Sequence, residues 1–251
     1  MNPTLELIHN RRSTRVYDPT PLTRAEKDAI LNAAMRAPTA GAMMLYTIIE
    51  VNDQALKDRL AATCDNQPFI ARAPMVWLFL ADYQRWQDYF IHSNVEKLEK
   101  PMRAPEEGDL FLACCDALIA AQNAVIAAES LGVGSCYIGD IMENYEFHQE
   151  LFNLPQYTFP ITLLCLGYPK SSTAKLTPRF PQENIHFKNS YQRIDQPTLK
   201  KMLDGREPQK YIANATNIGQ HFYARKFSAD FSVEMTRSVK KAIQSWAAQN
   251  P

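Results

Sequence analysis

The sequence predicts a mixed α/β or α+β domain, and three observations carry that expectation. Short apolar, partly β-branched runs, "YTIIEV", "APMVWLFLAD" and "YTFPITLLCLGYP", read as strands. Between or before them stand segments with helical spacing, "LTRAEKDAILNAAMRAP" and "QALKDRLAATC". The longest element, residues 110–131, is rich in Ala and Leu and ends at Gly132, a favourable helix stop. With 251 residues, 46% of them hydrophobic, the chain can bury a large core.

Each element has its own warrant. Thr23 followed three residues later by Glu26 is a capping-box pattern, and Pro38 stops the helix it starts. The helix at 110–131 has only Asp116, Gln122, Asn123, Glu129 and Ser130 as polar interruptions. A helix apolar on most of its surface is buried all round, either in a large core or between subunits, and a combined core and interface role is expected over a purely internal one. The strand at 157–166 enters a turn at 167–169. Beyond Pro181 the pattern weakens, until a helix at 233–248 with Lys240 and Lys241 on its solvent side closes a C-terminal extension.

Composition excludes several function classes. Lys plus Arg and Asp plus Glu number 27 each, so no basic excess points to nucleic acid. No 18-residue apolar run is free of charge, and "MNPTLELIHN" lacks the apolar stretch of a signal peptide, so neither a membrane span nor secretion is expected. The five cysteines are odd in number and share no metal-ligand spacing with the histidines; a reducing cytoplasm is the expected setting. Adjacent Cys114 and Cys115 are expected as small core residues.

Four stretches could carry chemistry. "HNRRSTRVYD" gathers Arg11, Arg12 and Arg15 with Ser13 and Thr14, a donor set suited to phosphate or to a solvated helix end. "APTAGAMMLY" lets backbone approach a flat ligand closely, or is a plain loop. "GVGSCYIGD" reads as a glycine-rich turn that could offer backbone groups to a planar cofactor; it has no P-loop lysine and misses the G-x-G-x-x-G spacing. "LGYPKSSTAKLTPRF" places Lys175 and Arg179 after a strand, as further phosphate-binding charge or an exposed loop. A polar segment, residues 86–108, could form a lid, with Tyr89, Phe90 and His92 reaching a pocket or only packing.

In this order the four stretches resemble the nitroreductase and NAD(P)H:flavin oxidoreductase family. "RRSTRVYD" is similar to its R-R-S-x-R-x-[FY] signature, and "MRAPTAGAMMLYTI" to its A-P-[ST]-x-x-N-x-Q-P-W segment. "ALIAAQNAVIAAESLGVGSCYIGDI" and "LLCLGYP…KLTPRFPQENIHF" match its later segments. "FLADYQR" and the C-terminal helix resemble the subgroup of oxygen-insensitive NADPH nitroreductases and flavin reductases. The chain departs from the pattern at Ala42, at Met43 and Met44, at Leu45 and Tyr46, and at Thr177.

The resemblance implies an α+β nitroreductase-like fold: a central, mainly antiparallel sheet flanked by helices, in one domain whose extension from about residue 190 packs on a partner subunit. It implies a homodimer with FMN at the subunit interface, NADPH or NADH as electron donor, and ping-pong reduction of nitroaromatics, quinones or free flavin. Other readings are a flavin-sequestering protein or a specialised flavoenzyme such as a reductive dehalogenase. By resemblance, Arg11, Arg12, Ser13 and Arg179 would hold the phosphate, with Lys175 in reach of it. Arg15 would face the ribityl chain and pyrimidine end. Pro38, Thr39, Ala40 and Gly41 would line the isoalloxazine, Gln67 would bond its pyrimidine edge, and Ile138 and Gly139 would set backbone against the ring. No catalytic side chain and no metal is implied. For NADPH, Arg225 and Lys226 are candidate ligands of the extra phosphate, with Arg206 and Lys210 near them in sequence.

Overall fold

The structure, a computed structural model, describes residues 1–100, 102–170, 176–203 and 205–248. Lys175 lies outside them. The chain divides into two compact units, Met1–Ala174 with Glu234–Pro251, and Lys175–Val233.

The first unit is built on a sheet of four strands among the described residues: β1 (Tyr46–Glu50), β2 (Met75–Asp82), β3 (Gly134–Ile138) and β4 (Thr158–Gly167), in the order β1-β2-β4-β3. Every pairing is antiparallel. All eight residues of β2 are buried, because this central strand has neighbours on both edges and helices on both faces. That is why "MVWLFLAD" shows a continuous apolar run instead of alternation.

Helices α1 (Pro3–Asn10), α2 (Arg24–Met35), α3 (Gln54–Thr63), α4 (Phe69–Arg72), α5 (Gln84–His92), α6 (Glu107–Ser130) and α7 (Tyr145–Leu151) surround the sheet. Thr23 and Glu26 form the expected capping box of α2. The inner face of α6 is mostly alanine: Ala113, Ala117, Ala120, Ala121, Ala124 and Ala128 are fully buried. Residues without bulk beyond Cβ let the helix lie close to β2, β4 and α2, and the core forms around that contact. By length and composition α6 could also cross a membrane, but this face is packed on the sheet.

Two expectations are corrected here. "GVGSCYIGD" is mostly strand β3: Gly132 alone takes a left-handed turn, and Ser135, Cys136, Tyr137 and Ile138 pair with β4. Cys115 is exposed and Cys114 only half-buried, because both fall toward the outer side of α6. The start of the 86–108 segment belongs to the helix α5, where Trp86, Tyr89, Phe90 and Ile91 stand among polar residues.

Among the described residues the second unit holds the helices α8 (Gln196–Leu203) and α9 (Ile218–Phe222) and a wide π-type turn, Tyr223–Phe227. Within it Arg206 lies over the Phe180 ring at 4.2 Å and donates to the Pro178 carbonyl at 2.6 Å. The last helix, α10 (Asp230–Ala247), belongs to the first unit from Glu234 onward and leaves Lys240 and Lys241 exposed, as expected. Its Arg237 bridges Glu146 and Glu234, and Ser238 accepts from the backbone N–H of Tyr145 at 3.1 Å.

Candidate cofactor site

The arginine-rich segment begins where α1 ends. Asn2 caps the helix by accepting from the Leu5 N–H at 3.0 Å, and Arg11 already has extended backbone. From there the chain is laced to the edge of the sheet. Thr14 N–H donates to the Ser135 carbonyl at 2.8 Å, Asp18 N–H to Tyr168 at 2.8 Å, and Lys170 N–H to Val16 at 3.1 Å. The Tyr17 hydroxyl donates back to the Thr14 carbonyl at 2.6 Å. Gly134 makes this approach possible: a Cβ there would meet the Thr14 hydroxyl and come within 2.8 Å of the Thr14 Cβ.

The electrostatics of the segment are uneven. Arg11 Nε is buried and has no hydrogen-bond partner among the described residues. Glu129 of α6 sits near Arg11 and Arg12; burial raises its carboxyl pKa, opposed by the Ser135 hydroxyl at 3.1 Å and by the two arginines. The Arg15 guanidinium lies 5.9 Å from the centre of the Phe69 ring. Burial also raises the Cys136 thiol, against the pull of Arg15, so it is no ready nucleophile.

Next to Phe69 in sequence, Gln67 is held on three sides. Its backbone N–H donates to Ala61 at 2.8 Å, and its Nε2 donates to the Cys64 carbonyl at 3.0 Å and to Asp140 Oδ2 at 2.8 Å. Asp140 follows Ile138 and Gly139, where β3 turns into the short 3-10 turn Gly139–Met142. The expected residues Arg15, Gln67, Ile138 and Gly139 are thus brought to one end of the sheet. Glu143, only 5% exposed, lies beside Asp140; burial first, then Asp140 and Asp65, push its pKa up to about 8.

The residues from Pro38 to Gly41 are organised elsewhere, on α6. Asp116, 3% exposed, accepts from the Thr39 hydroxyl, the Ala40 N–H at 3.0 Å and the Leu45 N–H at 3.1 Å. Thr39 in turn accepts from the Met44 N–H at 2.8 Å, and Trp86 Nε1 of α5 donates to the Met43 carbonyl at 2.7 Å. Within this clamp Gly41, Ala42 and Met44 all have left-handed backbone, at φ 56°, 59° and 51°. For Ala and Met that region is strained, so the loop's shape is imposed by its anchors.

Sequence reading missed three parts of this arrangement. Asp116 stood as a mere polar interruption, although a lone acid in an alanine helix signals a buried partner set. Asp140 and Glu143 carried no motif, and Trp86 was read only as the start of a polar segment. Tyr89 and Phe90 pack on the Trp86 ring, with centroids 6.0 and 5.6 Å away, and His92 is exposed. Phe90 also lines a cavity of about 240 Å³ with Tyr83, Val95, Leu98 and Met102. In the second unit Arg179 donates to the Thr177 carbonyl at 3.0 Å; Arg225, Lys226 and Lys210 are exposed, and Lys226 Nζ lies 4.9 Å over the Phe231 ring.

An orphaned buried guanidinium nitrogen beside further arginines and a serine fits a phosphate group. The backbone turn at Ile138 and Gly139, an amide whose two hydrogens are both bonded to the protein, and a strained small-residue loop fit a planar ring system. Both features agree with a phosphorylated flavin such as FMN.

The chain is 33% identical over 217 residues to the oxygen-insensitive NADPH nitroreductase of Salmonella typhimurium, covering 86% of each. It is 34% identical over 192 residues to an FMN reductase (NADPH) of Bacillus subtilis, covering 76% of this chain and 75% of that one. The solved structure of nitroreductase A from Vibrio parahaemolyticus superimposes with a TM-score of 0.79 at 26% identity, over 97% of this chain and 98% of the other. The Nitroreductase family model matches residues 8–168. A match across the sheet, the arginine segment and the Asp116-anchored loop together settles the classification: this chain belongs to the nitroreductase family.

Proposed function

We propose that the protein is an FMN-dependent NAD(P)H oxidoreductase, reducing nitroaromatics, quinones or free flavin by a two-electron, ping-pong route. The observation that carries this is the arginine segment, fixed to β3 by Thr14 and Gly134, with Arg11 Nε buried and unpartnered. The names of the relatives, NADPH nitroreductase and FMN reductase, support the donor and the cofactor.

FMN, when bound, supplies the two-electron redox chemistry between nicotinamide and acceptor. The chain's residues bind and orient. Arg11, Arg12 and Ser13 hold the phosphate through charge-assisted hydrogen bonds. Arg15 would place positive charge beside the pyrimidine end of the bound ring system. Ile138 and Gly139 offer backbone, and Thr39, Ala40 and Gly41 line the ring under the control of Asp116. Arg225, exposed on the second unit, is the candidate for recognising the extra phosphate of NADPH.

The same reading includes a homodimer. The outer face of α6 exposes Phe111 (65%), Leu112 (45%), Leu118 (42%) and Ile119 (40%), an apolar stripe on one helix side. Asp116, which anchors the loop, and Glu129, beside the arginines, are separated by about 20 Å along α6 at the usual helical rise. Two copies of α6 packed antiparallel about a two-fold axis bring the loop of one copy toward the arginines of the other. That arrangement supports a cofactor pocket shared between subunits. The five free cysteines suit a reducing cytoplasm.

The test is an absorbance spectrum of the purified protein before and after anaerobic NADPH. A flavin spectrum that bleaches and returns on adding a quinone or nitroaromatic is the expected result. Persistent oxidised absorbance would favour a flavin-sequestering role instead. Absence of flavin even after incubation with FMN would overturn the proposal.

A further inference from the structure

Gln67 is held by two groups that can only accept. Its Nε2 donates one hydrogen to the Cys64 carbonyl and the other to Asp140 Oδ2. A side-chain amide has two N–H donors, so both are consumed. The opposite amide orientation would set Oε1 against two oxygens and leave two acceptors unmatched. The chemistry of the partners therefore fixes which way the amide points, and Oε1 is what the half-buried side chain has left to offer.

We infer that Asp140 is a positioning residue that makes Gln67 a pure acceptor toward the cofactor, so that position 67 reads an N–H on the ligand's ring edge. This rests on the FMN reading above. The pyrimidine ring of a flavin presents one such donor, N3–H, between two carbonyls. An imide edge of that kind needs an acceptor flanked by donors, and Arg15, whose guanidinium lies 5.9 Å from the Phe69 ring two residues beyond Gln67, is such a donor.

Glu143, 5% exposed, lies beside Asp140; burial first, then the charges of Asp140 and Asp65, push the Glu143 carboxyl up to about 8. Glu143 N–H also donates to the Asp140 carbonyl at 3.1 Å, which fixes the short turn after Gly139. Removing the carboxylate at 140 while keeping its shape frees Gln67 to turn over, because an asparagine can present either N–H or C=O.

Two measurements on the full chain test this. The first needs no cofactor: side-chain 15N–1H spectra of selectively labelled protein, wild type against Asp140→Asn. Both Gln67 amide protons are expected to be protected from exchange in the wild type and to lose protection in the variant. Equal protection in both would overturn the clamp. The second compares affinity for FMN and for FMN methylated at N3, by quenching of flavin fluorescence. The wild type is expected to prefer FMN by about ten-fold or more, the scale of one buried hydrogen bond. Asp140→Asn should narrow that preference through weaker binding of FMN, while a thermal melt confirms that it folds. A preference unchanged in the variant, or no preference in the wild type, would overturn the inference while leaving the FMN reading intact. Failure of the wild type to bind FMN at all would overturn the cofactor reading, and with it the role at N3–H, whereas the clamp stands or falls on the spectra.

Discussion

Thr14 occupies the space that a side chain on residue 134 would need. Its hydroxyl and Cβ lie where the Gly134 Cβ would be built, and its N–H bonds to the next residue, Ser135, at 2.8 Å. The arginine segment therefore lies on β3 only because residue 134 has no side chain. Gly134→Ala is expected to push residues 13–15 off the strand and to lower FMN affinity by about ten-fold or more, with an overpacking cost of about 1–3 kcal/mol. Flavin titration and a thermal melt of the variant measure the two effects separately. Wild-type flavin affinity in Gly134→Ala would contradict the placement.

Asp116 serves three donors from a fully buried position on α6. Asp116→Asn keeps the shape but replaces one accepting oxygen by an amide NH2 group, leaving a donor of the loop unmatched. A loss of about 1–3 kcal/mol follows, which at this chain length lowers Tm by roughly 2–4 °C for each kcal/mol. Differential scanning calorimetry of the two proteins gives the number.

Ala42 has a left-handed backbone at φ 59°, a region that Asn tolerates better than Ala. Ala42→Asn is expected to stabilise the chain by up to about 1 kcal/mol. Chemical denaturation with an unchanged m value would register this as a shift of the midpoint.

Glu143 gives stability a pH dependence of unusual sign for a carboxyl. Its folded pKa is raised to about 8 from 4.5, so the folded state binds the proton more tightly than the unfolded state. The stabilisation is complete below pH 4.5 and is lost as pH rises through 8. Asp140, Asp65 and Glu234 all face this carboxyl and act in the same direction. His148, buried neutral between Ile141 and Thr63, works oppositely: its pKa is lowered from 6.5, so acid below that value destabilises the fold. Glu143→Gln should flatten the decline toward alkaline pH and leave the acid limb of His148 in place. Urea unfolding at pH 5 to 9 distinguishes the two limbs.

The outer face of α6 offers the clearest test of assembly. Leu118→Arg with Ile119→Arg puts two charges on the exposed apolar stripe without touching the alanine face. Sedimentation is expected to show the 28.6 kDa single chain where the wild type sediments as a pair, and bound flavin to fall in step. An unchanged dimer would move the interface elsewhere.

How much was legible in the sequence follows from how local each signal was. The capping box of Thr23 and Glu26 and the apolar runs of β1, β2 and β4 state their structure within a few residues. β3 did not, because Gly132 and Gly134 dominate a short strand whose identity depends on pairing with β4. α5 was hidden for a different reason: of its apolar residues Trp86 packs on the core while Tyr89 and Ile91 are exposed, so polar and apolar positions do not sort into one legible stripe. At the candidate site, the arginines and the loop from Pro38 to Gly41 were visible as motifs. Asp116 and Asp140 were not, since each acts on residues some 70 positions away. Long-range partners leave no pattern in a single sequence.

The left-handed loop also bears on the order in which the molecule assembles. A chain segment with Gly41, Ala42 and Met44 at positive φ has no local reason to take that shape. It acquires its form only once α6 has docked and Asp116 is in place to receive it. The ring-lining loop is thus among the last parts to organise and among the first to loosen on warming, while the alanine-packed centre is still intact. Gentle heating should therefore extinguish turnover at temperatures where the sheet and α6 still resist unfolding.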